Sequence, residues 1–338
     1  MTEESKSREQ RLSAHGIFRI AVVSDIHYAA AAERARYAGP GLHRPDNPFV
    51  RLLNLAMQHL FWLSKPGTHN HQLDHFMASA GEPDLVVGNG DFSCNSASIG
   101  VSDPAAFESA TECLRKLRDR FGHRFHGTIG DHELGKAHLY SCRGSMQLAS
   151  WRRAVEDLRI EPFWRVQAGN YVVLGVTSSL IALPVFQQDT LPDELAQWEQ
   201  LRETHLQQIR AAFSGLKPGE RVLLFCHDPT ALPFLWREAA VRERISQVEH
   251  TVIGHLHSRL ILWKSRVLCG LPTISILGQG VRRMSTALGE AKHWNPFHVR
   301  LCPAITGIQL LKDGGFLTIE LDADAIRPAR FRFHPLKW

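Results

Sequence analysis

The stretch Ile17-Phe18-Arg19-Ile20-Ala21-Val22-Val23-Ser24-Asp25-Ile26-His27 carries the pattern on which the reading of this chain turns. Its apolar, β-branched run predicts a buried strand, and the strand stops at Asp-x-His, which delivers two polar side chains to a sheet edge. The same punctuation recurs downstream. Asp84 to Val87 runs into Gly88-Asn89-Gly90-Asp91, and Arg124 to Ile129 runs into Gly130-Asp131-His132-Glu133. Arg221 to Cys226 ends at His227-Asp228, and Val248 to Ile253 ends at Gly254-His255-Leu256-His257.

Between these strands the apolar spacing turns helical. It predicts helices over 104–121, 145–158 and 192–213, the last opened by Pro192 in its first turn, and a further strand over Tyr171 to Val176. Alternating strand and helix indicates an α/β fold, in which ligand sites gather outside the carboxyl ends of the strands. Residues 28–83 read as a helical insertion after the first strand, with Phe49, Leu52, Leu53, Ala56, Leu60 and Leu63 at helix spacing. Core packing is the plain reading of that helix, and lining an apolar or membrane-facing cleft is the sharper one. Residues 259–338 read as a C-terminal β segment, with short strand-like runs over 273–277, 316–321 and 331–334. Repeats, low-complexity tracts and a clear linker are lacking, so 1–338 is read as a single domain.

Composition narrows the class. The chain has 338 residues and 44% hydrophobic residues, which excludes intrinsic disorder as the main plan. The charged residues 1–11 lack the apolar stretch of a secretory signal. The longest mostly apolar run, Tyr171 to Phe186, is broken by Gly175 and Pro184 and falls short of the roughly 20 residues that span a bilayer. Six cysteines stand apart with no Cys-x-x-Cys pair, a usage that fits reduced thiols and a cytoplasmic location. A net charge of +5 allows an anionic substrate, while the absence of a Lys/Arg block of five or more disfavours a dedicated nucleic-acid binder.

In chain order the strand-end groups are Asp25, His27, Asp91, Asp131, His132, His227, His255 and His257. Carboxylates and neutral imidazoles are ligands for Mn, Zn and Fe, and so many of them exceed what one ion takes. Two ions with a shared carboxylate fit the count.

In these blocks the chain resembles the calcineurin-like metallophosphoesterase superfamily, whose signature runs Asp-x-His, Gly-Asp, Gly-Asn-His-Asp/Glu, a lone His and Gly-His-x-His. Each block alone occurs by chance, but all of them stand here in that order after apolar strands. The resemblance implies a four-layer αββα sandwich with two divalent metal ions (Mn, Zn or Fe). Asp25, His27 and His257 would hold the first ion, Asp91 would bridge, and Asp131, His227 and His255 would complete the second. His132 would serve the leaving group, with Glu133 orienting its imidazole. The implied activity is hydrolysis of a phosphoester (monoester, diester or pyrophosphate) by attack of a metal-bridging hydroxide. The substrate would be a phosphorylated small molecule, a nucleotide or a lipid. A nuclease of the same superfamily and an inactive metal-binding scaffold are the alternatives. Phe92-Ser93-Cys94 after Gly90-Asp91, in place of Asp-Arg-Gly, argues against the serine/threonine protein phosphatase branch.

One position departs from the family pattern. Asp131 stands where Asn is usual, which keeps an oxygen ligand but adds a negative charge beside the cations. Other candidates carry plainer readings. His69, His71 and His75 around Asp74 offer an i, i+4 imidazole pair on what is more simply a solvated face. Arg143, Arg152 and Arg153 could reach a second phosphate or simply sit on the surface. Asn95 could support the metals or cap the following segment.

Overall fold

The computed structural model describes residues 16–38, 69–135, 144–267, 270, 289–308 and 311–337. Its strands are β1 (Ile17–Val23), β2 (Leu85–Asn89), β3 (Phe125–Thr128), β4 (Phe163–Ala168), β5 (Tyr171–Val176), β6 (Arg221–Cys226), β7 (Val248–Ile253), β8 (Val299–Leu301), β9 (Gly315–Asp322) and β10 (Arg330–Pro335). They form two mixed five-stranded sheets, ordered β10-β9-β1-β2-β3 and β4-β5-β6-β7-β8. In the first sheet β1, β2 and β3 run parallel, and β9 and β10 add antiparallel strands beyond β1. In the second, β5 to β8 run parallel and β4 is antiparallel to β5.

Period-two alternation sends each strand's side chains to two different cores, which is why the parallel strands read as continuous apolar runs. Phe18, Ile20 and Val22 of β1 meet Trp164, Val173, Leu223 and Phe225 between the sheets. The intervening Ala21 and Val23 face outward and join a second cluster with Cys113, Leu114 and Leu117 of helix α3 (Pro104–Phe121). On the far side Val172, Leu174, Val222 and Leu224 belong to that cluster with Trp198, Leu206, Ile209 and Phe213 of helix α4 (Leu195–Ser214). Helices therefore cover both outer faces, giving the expected four-layer αββα sandwich. Asp103 sets the start of α3 by accepting from the amides of Ala105 and Ala106 ahead of Pro104 at the first turn.

Several expectations shift. Pro192 lies three residues before α4 begins, so it precedes the helix rather than opening it. The 145–158 helix is a short α-helix, Leu148–Arg152, continued by a π turn over Arg153–Asp157. Residues 259–338, read as a β segment, open with helix α5 (Arg259–Val267), before β8, β9 and β10 follow. Of the 28–83 segment, helices α1 (Ala31–Ala38) and α2 (His71–Ser79) are seen, and the helix expected around Phe49 to Leu63 lies outside the described residues. The strand expected over 273–277 lies outside them too. No described helix is long and apolar enough to cross a membrane.

Sheet pairing leaves one tight spot that tests this packing. Gly175 on β5 pairs with Trp164 on β4, and a Cβ at that position would run into the indole. The indole is also fixed by its N–H bond to the Gly127 carbonyl at 3.0 Å. Gly175→Ala is therefore expected to destabilise the fold by about 1–3 kcal/mol in denaturant unfolding. An unchanged midpoint would mean that the two sheets are not held at this spacing.

Candidate metal centre

All the parallel strands of interest end on one side of the sandwich, so their carboxyl-end loops meet there. The first sheet contributes Asp25, Asp91 and Asp131 from β1, β2 and β3, and the second contributes His227, His255 and His257 from β6 and β7. Backbone bonds lace the loops together. The amide of Asp25 donates to the Gly90 carbonyl at 3.1 Å, that of His27 to Asp91 at 3.0 Å, and that of Gly254 to His227 at 2.9 Å. Residues after β8 close the ring, with the amides of Ala304 and Ile305 donating to the carbonyls of His257 (3.0 Å) and Ser24 (3.1 Å).

The backbone itself is forced at this rim. Asp25, His27, Asp91, His255 and His257 all have positive φ, between 48° and 60°, in the left-handed region that residues with a side chain rarely adopt. Such conformations cost of order 1–3 kcal/mol each and persist where the surroundings over-determine them, most often at functional sites. Gly90 makes room for the convergence. Its φ is +82°, and a Cβ there would lie 2.6 Å from His227 Nδ1.

Three groups of donor atoms result, two of which hold the expected ligands, while the third, Asp91, Asp131 and His132, shares its carboxylates with them. Asp25, His27, Asp91 and His257 bring their ligand atoms within 4.8 Å of one another, and so do Asp131, His227 and His255. Within the first, His257 Nε2 lies 3.2 Å from Asp25 Oδ1 and 3.2 Å from His27 Nε2. Within the second, Asp131 Oδ1 lies 2.9 Å from His227 Nε2 and 3.0 Å from His255 Nδ1. Asp91 reaches both, since its Oδ2 is 3.2 Å from His227 Nε2. Separations of this size match adjacent ligands about 2.1 Å from a shared cation, which sit roughly 3–3.4 Å apart. The residues predicted from sequence as metal ligands are thus brought together, with Asp91 between the groups.

Charge explains why a cation fits. Asp25, Asp91 and Asp131 are 0%, 1% and 3% exposed, and unpaired buried carboxylates are costly. Burial pushes the Asp25 carboxyl up, yet His227 and His257 hold it below its usual value. Burial lowers His227, but the carboxylates of Asp91 and Asp25 outweigh it and hold the imidazole well above its usual value. A cation bound there would take the place of that proton, since a coordinating imidazole is neutral. His27, by contrast, is brought down to about 3 by burial, with His132 and His257 adding to the effect. That leaves the neutral imidazole that coordinates metals.

His132 and Glu133 behave differently from each other. His132 Nδ1 faces the Ser93 carbonyl at 3.1 Å and so carries the hydrogen, while Nε2 points toward Asp91 Oδ2, 4.0 Å away. Glu133 was expected to orient this imidazole. Its bonds instead go to backbone amides: Asp91 (3.0 Å), Phe92 (2.8 Å), Ser93 (3.4 Å) and Gly130 (2.9 Å). Any orientation is indirect, because Glu133 fixes the turn whose Ser93 carbonyl holds His132. Burial, with Asp91 nearby, pushes the Glu133 carboxyl up to about 7.

Sequence reasoning missed the supports of the ring. The Asn89 carbonyl accepts from His227 Nδ1 at 2.6 Å, and the Ser24 hydroxyl bonds Asp25 Oδ2 at 2.5 Å. Glu33 on α1 accepts from the amides of Cys94 and Ser96, beyond Asp91. Ser24 and Asn89 sit directly beside the quoted motifs, which was the available signal, but a backbone carbonyl leaves no mark in residue type.

The side candidates resolve plainly. Asn95 Oδ1 accepts from the Gly100 amide at 2.8 Å and so ties the loop that follows Asp91 to the start of the Gly100–Ser102 turn. Arg153 donates to the carbonyls of Val101 and Ser102 and stacks over Phe107, while Arg143 lies outside the described residues. His69, His71 and His75 do not enter the donor groups found among the described residues, and Asp74 pairs with Lys116 at 2.8 Å.

The amide cradle gives a direct test. Glu133→Ala would leave buried amides around Asp91 without an acceptor and is expected to destabilise the fold by about 3 kcal/mol or more in denaturant unfolding. A loss below about 1 kcal/mol would show that the turn holds itself.

Comparison with known proteins assigns the chain to a family. The family profile described as calcineurin-like phosphoesterase matches residues 18–259, which spans every strand-end block. No curated protein matches the chain. Among solved structures, it is similar to a dimetal phosphatase from Danio rerio (13% identity, 94% of this chain and 95% of that one, TM-score 0.47). It is similar also to a purple acid phosphatase from yellow lupin, Lupinus luteus (10% identity, 94% and 51%, TM-score 0.40). A third is the calcineurin-like phosphoesterase YfkN from Bacillus subtilis (11% identity, 94% and 90%, TM-score 0.39). The chain belongs to the calcineurin-like phosphoesterase family.

Proposed function

We propose that this protein hydrolyses phosphoester bonds with two divalent cations, Mn, Zn or Fe. Asp25, His27 and His257 hold the first, Asp131, His227 and His255 hold the second, and Asp91 is shared. The observation that carries this reading is the convergence of five left-handed Asp and His residues on two adjoining groups of donor atoms. Cations bound there supply Lewis-acid polarisation of a phosphoryl group and acidify a water molecule.

The chain's own residues set up the rest. Asn89 fixes His227 by its carbonyl, and Ser24 and the His255 amide fix the Asp25 carboxylate. His132 donates Nδ1–H to Ser93, so its Nε2 is the atom that can carry a proton to a departing oxygen. Asp131, where the family usually has Asn, keeps an oxygen in place and adds negative charge, which favours cations over a phosphate dianion. The described cysteines Cys94, Cys113, Cys226 and Cys302 are buried in the core, which fits thiols kept in a reducing compartment such as the cytoplasm.

The test is turnover of p-nitrophenyl phosphate and bis(p-nitrophenyl) phosphate by metal-stripped protein to which Mn, Zn or Fe is returned. Metal-dependent release from at least one ester is expected, and the preferred ester assigns the bond class. His132→Ala should keep its metal and lose roughly 10²–10⁴-fold in turnover of substrates with poor leaving groups. Metal bound without release from either ester would make the protein a scaffold and sink the proposal.

A further inference from the structure

Helix α5, Arg259–Val267, starts two residues after His257 and presents an apolar stripe that is exposed among the described residues. Leu260, Trp263 and Val267 are 42%, 62% and 62% exposed, whereas Leu262 and Ser265 are buried. At about 100° per residue, Leu260, Trp263 and Val267 fall within roughly 60° of one another, opposite Leu262 and Ser265. On the same wheel Lys264 flanks the stripe on one side and Arg259 on the other, and both are exposed. Leu311, 44% exposed, stands in the turn that Asp313 ties to Ser258, at the start of the helix. Of the large apolar side chains exposed among the described residues, only Ile326 lies elsewhere.

The surroundings are cationic. Arg259 stacks over Phe333 at 4.7 Å, and Arg300 of β8 stacks over Phe331 at 5.5 Å, so the two guanidinium groups are held at the β8–β10 rim beside the helix. Arg330 and Arg332 are exposed along the edge strand β10. The nearby acidic groups are engaged, Asp313 with Ser258 and Glu320 with Arg19. An apolar stripe with a tryptophan, bordered by cations on both sides, is the chemistry of a helix lying in a lipid interface. Its positive border selects a negatively charged surface such as the cytoplasmic leaflet.

We propose that the exposed face of α5, with Arg259, Lys264 and Arg300 around Leu260, Trp263 and Val267, docks the protein onto an anionic lipid surface. The stripe enters the headgroup region, the cations meet lipid phosphates, and the adjoining His257 loop is held at headgroup level. This concerns where the chain sits and does not depend on whether its metal centre turns over.

Co-sedimentation of the full chain with vesicles tests it. Binding is expected to vesicles of equal parts phosphatidylcholine and phosphatidylglycerol, at least about tenfold tighter than to phosphatidylcholine alone, and to fade at roughly 1 M salt. Trp263→Glu should weaken partition at least about tenfold. Its unfolding midpoint and its mass in solution should stay unchanged. Absence of binding, equal binding to both vesicles, or unaltered partition by Trp263→Glu would overturn the proposal. A lower unfolding midpoint for the variant would assign the face to the chain's own packing, and a changed mass to a second copy; either result would overturn it as well.

Discussion

Three carboxylates, Asp25, Asp91 and Asp131, are buried together where two sheets end, and the rest of the rim is arranged around that burial. Like charges at this spacing repel strongly in a low-dielectric setting, so something positive must accompany them. Imidazoles provide part of the answer, with His227 drawn toward the charged form by its carboxylate neighbours. Backbone amides provide another part, since His255 N–H points at Asp25 and His132 N–H at Asp91. A pair of divalent cations completes the balance on the proposed reading, and the donor spacing suits them.

That demand reaches into the backbone. Five Asp and His residues take left-handed conformations, and they are held there by bonds between loops of neighbouring strands and, at Ile305 to Ser24 and His255 to Asp25, between the two sheets. Parallel strands make this possible by delivering all their carboxyl ends to one side, and the double-sided apolar cores keep the strands in register. The fold is therefore the device that positions the chemistry, and Glu133 shows how. Its carboxylate touches the turn rather than the imidazole, so its influence on His132 runs through the Ser93 carbonyl.

Much of this was legible because strand ends are written in residue type. An apolar run followed by Asp-x-His or Gly-His-x-His marks both the strand and the groups it presents, and Asp25, His27, Asp91, Asp131, His227, His255 and His257 were found that way. Strand β4 was not, because Arg165 and Gln167 alternate with Val166 and Ala168 and dilute its apolar signal. Strand β8 has only three residues and leaves too short a pattern. Helix α5 was read as part of a β segment, since Leu260 to Trp263 is an apolar run whose helical face emerges only when the buried Leu262 and Ser265 are separated from the exposed residues. The roles of Asn89 and Ser93 rest on main-chain carbonyls, which every residue has.

The central claim is that the strand-end rim is a two-cation site. Metal stoichiometry of the purified protein, equilibrated with excess Mn, Zn or Fe and then desalted, tests it most directly by elemental mass spectrometry. The account predicts close to two ions per chain, with the count falling when Asp91 is changed to Ala because both groups share that carboxylate. Retention of no ion, or a count in Asp91→Ala equal to that of the unaltered protein, would contradict it.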